Sequence, residues 1–232
     1  MSHAENWVMT IGSLPAPLNE INLNTLIMAW AAMGVIVVLA FWLTRGIAVR
    51  PTGRQVVAEG VFGLCRSITQ QTGGNRGDKF LFYIGSLFIF ILTANLMGQL
   101  PLRLIQLSQG ELIAATGDFN TTAALGLFTL IMYFYFGIKA KGLGYFKHYA
   151  QPFIFFLPIN LVEDVTRPFS LMLRLYANIF VGEILSGIAL QMIPIGGPAL
   201  VILLELFVAA LQAYIFAILS SAYIAMLSDD HH

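Results

Sequence analysis

One guanidinium, Arg174, stands about halfway along a mostly apolar, helix-forming run that extends from Asn160 to Gln191. The centre of that run reads LMLRLYANIFVGEILSG and carries one carboxylate, Glu183, nine residues after the arginine. With 58% hydrophobic and 10% charged residues and a mean hydropathy of +0.79, the chain offers such a run no setting but a membrane. A water-soluble domain carries about 25% charge. An arginine deep in a bilayer costs about 2.5–3.5 kcal/mol on insertion scales and about 10 or more in simulations. A cost of that size marks an ion pathway.

The rest of the chain reads as an all-α integral membrane protein. Residues 1–22 form an extracytoplasmic segment without the basic region and apolar core of a cleavable signal. Leu23 to Leu43 is the first span, long enough at 1.5 Å per residue for a core of about 30 Å. Residues 54–71 mix Val56, Val57, Val61, Phe62, Leu64 and Ile68 with Arg54, Glu59 and Arg66, the pattern of an amphipathic helix on the membrane surface. Gly73 and Gly74 terminate it. Phe80 to Leu100 is the second span, with Asn95 and Gln99 on one face. A polar-to-amphipathic connection, Leu102 to Phe119, leads to the third span, Thr121 to Ile138.

Those elements fill residues 23–148, and residues 149–232 differ in kind. Asn160 to Gln191 and Ala199 to Leu227 are each longer than a straight span needs, so they are predicted to be steeply tilted helices. The sequence PIGGP, residues 194–198, joins them into a hairpin. No internal repeat supports an inverted-repeat transporter. Lys and Arg set the orientation. Arg45, Arg50, Arg54, Arg66, Arg76, Lys79, Lys139, Lys141 and Lys147 fall on one side of the membrane and only Arg103 on the other. The crowded side is predicted to be cytoplasmic, with the N-terminus outside and the tail ending in His231 and His232 inside.

At 100° per residue, Arg167, Ser170, Arg174 and Asn178 form one polar stripe, and Glu183 lies about 180° from the arginine. On the second hairpin helix Glu205 and Gln212 share a face. Antiparallel pairing would set that face against the Glu183 side and leave Arg174 pointing out of the chain, toward an acidic, membrane-embedded partner. Arg174 as a mere snorkelling anchor fits poorly with its neighbours Leu171, Leu173, Leu175 and Phe180. Arg167 reads as a rim residue in an i,i+4 pair with Glu163. Asn178 and Gln212 are equally suited to ordinary interhelical hydrogen bonds. Gly182, Ser186 and Gly187 are small enough to let helices approach closely. Cys65 is the only cysteine, so an internal disulfide and a Cys-based metal site are excluded. No cofactor is expected, and a net charge of zero suggests no nucleic-acid partner.

LRLYANIFVGE together with LQAYIFAILSSAYIAML resembles subunit a of the F-type ATP synthases. RPTGRQVVAEG, TANLMGQLP and PINLVEDVTRPFSLMLRL match in the same order, so the likeness covers nearly the whole chain. The resemblance implies a non-catalytic proton-channel subunit whose Arg174 faces a rotating c-ring. Ser170, Asn178 and Gln212 match polar positions of that family, and Glu183 and Glu205 match its paired channel residues. It implies two offset half-channels, with protons entering by way of Asn95, Glu183, Glu205 and Gln212 and leaving near Ser170. The implied partners are carboxylate-bearing c-ring subunits, peripheral-stalk b-type subunits and the lipid bilayer. The implied location is an energy-coupling membrane, the bacterial inner membrane first and a plastid-type membrane second. Tyr176 and Ala177 stand where most bacterial members have Phe-Gly, and both channel acids are Glu, as in plastid-like members. The competing readings are a Na+-coupled version of the same subunit and a self-contained channel or secondary carrier.

Overall fold

The computed structural model of the chain describes residues 8–10, 20–50, 53–99, 114–141, 157–192 and 196–228. Six long helices run through them: α1 (Leu23–Thr44), α2 (Gly53–Gly73), α3 (Leu81–Gln99), α4 (Phe119–Lys141), α5 (Leu157–Met192) and α6 (Gly197–Ser228). Five of these, all but α2, are long and apolar enough to cross a membrane, which makes this an all-α integral membrane protein. A two-stranded antiparallel ribbon, β1 (Val8–Thr10) with β2 (Glu20–Asn22), precedes α1. The hydropathy pattern gave no sign of it. Most of the connection predicted between the second and third spans, and residues 194 and 195 of the PIGGP turn, lie outside the described residues.

Helix α5 has 36 residues, about 54 Å at the α-helical rise, and Pro168 sits within it. Gly126 on α4 makes room at that point. A Cβ there would stand 3.3 Å from the Pro168 carbonyl oxygen and 3.0 Å from Met172 Cβ. The turn into α6 uses Gly196 at φ 94°, a left-handed conformation that glycine adopts without steric cost. Near the turn Gly182 meets Glu205; far from it Arg167 meets Tyr223 and Met226. Contacts that move apart in step on either side of a turn define an antiparallel pair.

Helix α6 is the central post. Its inner face places Ala209, Ala213, Phe216, Ala217, Ile224 and Ala225 in the core, against Ile84, Leu87, Phe88 and Ile91 of α3 and Leu171, Leu175 and Ile179 of α5. The many small residues on that face let neighbouring backbones come close, which is how membrane helices gain packing energy without a hydrophobic drive. The outer faces of α1, α5 and the first half of α6 are apolar and exposed, as at Trp30, Phe41, Phe180, Leu203 and Phe207.

Helix α2 starts one residue before and ends two residues after the predicted 54–71, so it includes Gly73, and a short 3-10 turn, Gly74–Lys79, follows it directly. Only part of it is left uncovered by the rest of the chain. Cys65, Ile68 and Thr69 are covered by protein, and Thr72 shares a hydrogen bond with Ser221 of α6. Val56, Val57, Val61, Phe62 and Leu64 stay exposed. The C-terminal half is therefore a joint with α6, and the N-terminal half keeps a free apolar face.

Candidate functional site

Of the polar stripe predicted on α5, the middle faces outward. Arg174 and Ser170 are exposed, and Asn178 is half-buried. Buried positions on this helix are Pro168, Leu171, Met172, Leu175, Ile179 and Gly182, which centre about 100° from Arg174 round the helix. Among the described residues Arg174 has no carboxylate partner. Arg167, at the other end of the stripe, is paired within the chain, as the four-residue spacing suggested. It bonds Glu163, stands 3.7 Å from Asp164 and lies 5.4 Å from the centre of the Tyr223 ring.

The polar residues of the interior come from three helices. Glu205 is 8% exposed and packs on the backbone of α5 at Gly182. A Cβ at Gly182 would lie 2.9 Å from Glu205 Oε1 and 3.1 Å from Cδ, so only glycine leaves the carboxyl its place. Gly182 is about 80° round from Arg174 and about 100° from Glu183. Glu205 thus sits beside the turn of α5 that carries Glu183. The Glu183 side chain itself lies outside the described residues. Gln212 is buried two turns further along α6, and its Nε2 has no partner among the described residues. Gly187, expected at a helix contact, is exposed and a Cβ there would meet nothing within 4 Å, and Ser186 is half-buried.

Asn95 of α3 closes the gap between Glu205 and Gln212. It is 2% exposed, and its Nδ2 donates to the Ala209 carbonyl oxygen at 3.5 Å, one turn after Glu205. Its Oδ1 accepts a 2.7 Å bond from Thr116 Oγ1. Sequence reasoning missed Thr116, because a threonine in a polar connection carries no periodic signal. Gly98 lets that connection settle on α3, where a Cβ would stand 2.3 Å from Ala114 Cβ. From Thr116 the polar groups continue outward: Asp118 Oδ2 accepts from Thr25 Oγ1 at 3.1 Å, beside the buried Asn24.

Tyr176 also has a place. Its ring meets Phe119 of α4 edge-on at 5.8 Å and stacks on Phe180 at 5.8 Å. The larger residue next to the arginine stripe thereby braces α5 against α4.

The arrangement has two chemically different sides. A fixed cation is presented outward from mid-helix, and behind it a buried carboxyl, two amides and a hydroxyl line one seam. A family profile described as "ATP synthase A chain" matches residues 26–225. The chain is 41% identical over 215 residues to the ATP synthase subunit a, chloroplastic, of Stigeoclonium helveticum, covering 92% of this chain and 87% of that one. It is 40% identical over 211 residues to the protein of the same description from Oedogonium cardiacum, covering 90% and 84%. The spans, the order of the motifs and these matches agree, and the chain belongs to the ATP synthase A chain family.

Proposed function

We propose that this chain is the proton-conducting stator subunit of an F-type ATP synthase. The observation that carries the reading is the split between the two sides of α5. Arg174 faces out of the chain, while Glu205, Asn95 and Gln212 are buried behind it. A self-contained channel would turn its charge inward; an exposed guanidinium at mid-membrane needs a carboxylate from another subunit. The partner is a ring of small subunits, each with one membrane carboxylate, and peripheral-stalk subunits hold the chain still against it.

In this reading protons enter along Asp118, Thr116 and Asn95, pass Glu205 and Glu183 with Gln212 alongside, and load a ring carboxylate. After nearly a full turn of the ring the carboxylate releases its proton near Ser170. Arg174 and Asn178 stand between the two paths. The buried carboxyl of Glu205 can hold a proton, and the hydrogen-bonded pair Thr116–Asn95 lines a polar path to it. The membrane is an energy-coupling one. The comparisons lend no support to the bacterial inner membrane expected from the sequence; both relatives are chloroplastic proteins, and a thylakoid-like membrane fits them.

Purification of the tagged chain from gently solubilised membranes should bring down a small apolar subunit with an intramembrane Asp or Glu. If the chain purified alone and conducted protons by itself in vesicles, the stator reading would be wrong.

The nine basic residues predicted for one side against one for the other support an N-terminus outside and a C-terminus on the cytoplasmic side. Cys65 is buried beside Gly85, and burial pushes its thiol pKa up, so it is a slow background label and is removed as Cys65→Ala. Ser2→Cys and Ser228→Cys should then react with an impermeant maleimide from opposite sides. Reaction of both from one side would refute five crossings.

A further inference from the structure

The corner between α1 and α2 carries positive charge with no negative charge to match it. Arg45 caps the end of α1, Arg50 lies in the bend and Arg54 opens α2, all three exposed. Aromatic rings restrain two of them. The Arg45 guanidinium carbon is 6.0 Å from the centre of the Phe41 ring, and that of Arg54 is 5.5 Å from the Trp42 ring. Among the described residues no Asp or Glu pairs with Arg45, Arg50 or Arg54. Glu59 is the acidic residue nearest to Arg54 in the sequence. Its Oε1 accepts from Gln55 Nε2 at 2.8 Å, and it stands about 140° round α2 from Arg54.

The bend is also fastened. Ala48 N donates to Gln55 Oε1 and Gln55 Nε2 donates to Ala48 O, each at 3.0 Å. Gly46, at φ 82°, takes the left-handed conformation that starts the bend. The three arginines are therefore displayed from a braced corner at the end of a membrane span, where charged headgroups lie.

Beside the charge runs an apolar strip that no other element covers. Val57 and Val61 lie within about 60° of Arg54 on α2, and both are exposed. Val38, Phe41 and Trp42 on the adjoining end of α1 are exposed as well. A compact cationic cluster continuous with uncovered hydrocarbon fits an anion with an apolar body.

We propose that this corner is a binding site for an anionic phospholipid. The headgroup phosphate is held by Arg45, Arg50 and Arg54, and the acyl chains lie on Val38, Phe41, Val57 and Val61. A zwitterionic lipid brings its own ammonium beside the phosphate and gains less from three unmatched guanidiniums. The site is far from Arg174 in the chain, and it does not depend on the ion path proposed above.

The test uses the assembled complex in native-composition membranes, with photoactivatable phosphatidylglycerol as probe and peptide mapping as readout. Label is expected in the peptides covering residues 38–61. It should fall about tenfold or more in Arg45→Gln/Arg50→Gln/Arg54→Gln and persist when all three become Lys. Photoactivatable phosphatidylcholine should label these peptides weakly, and inorganic phosphate at matched ionic strength should not compete. Equal labelling by phosphatidylcholine, unchanged labelling of the Gln variant, or displacement by inorganic phosphate would each overturn the proposal. If the triple variant does not assemble, Arg45→Gln and Arg54→Gln alone should each reduce label several-fold. No reduction in either would be decisive against the site.

Discussion

Membranes carrying Arg174→Ala should make no ATP from a proton gradient, although the complex still assembles. Arg174 is exposed, and among the described residues it makes no contact that holds the chain together. Its loss therefore leaves no cavity and no orphaned partner in the fold. What disappears is a fixed positive charge between the two proton paths. At an effective dielectric of about 20, a proton passing within about 5 Å of that charge meets about 3 kcal/mol of repulsion. That corresponds to a factor above about 100 in leak rate. Each proton that slips across 100 mV wastes about 2.3 kcal/mol, and the ring gains nothing from it. Gradient-driven ATP synthesis is thus expected at background, with passive proton leak through the membrane sector raised. Arg174→Lys keeps the charge but loses the planar, always-protonated fork, and should be severely impaired as well. Parental rates of synthesis in Arg174→Ala membranes, with the subunit present in normal amount, would remove the coupling role.

Glu205→Gln should slow passive proton conduction by about tenfold or more, and Glu183→Gln should slow it too. Glu205 is buried against Gly182, next to the turn of α5 that carries Glu183. In the proposed path the two carboxyls act together in handing on one proton. Removing either disables the pair, and the double substitution should cost less than the product of the singles. Strictly multiplicative losses would leave two independent groups and sink the shared site. Gly182→Ala tests the same contact from the other side. The new Cβ would meet the end of a flexible side chain, at 2.9 Å from Oε1, so the fold tolerates it and the carboxyl moves. Conduction should drop several-fold with assembly unaffected. A silent Gly182→Ala would mean that the position of the Glu205 carboxyl does not matter.

The five spans were legible in the sequence because a run of apolar residues of sufficient length has no other stable setting. The stripe Ser170–Arg174–Asn178 and the Arg167–Glu163 pair were legible because both depend only on the 3.6-residue repeat within one helix. Tertiary structure alone decided which apolar face is buried within the chain and which is left exposed. Leu203 and Phe207 are exposed, and Phe216 and Ile224 on the same helix are buried, yet the residue types are alike. In water such a choice shows as hydrophobic periodicity. In a bilayer the lipid tails are as apolar as the core, so the sequence carries no such contrast. For that reason the docking of α2 on α6 was not foreseen, nor was the seat of Glu205 on Gly182. The Thr116–Asn95–Ala209 link joins three separate stretches of chain, and only their packing brings those polar groups within bonding distance.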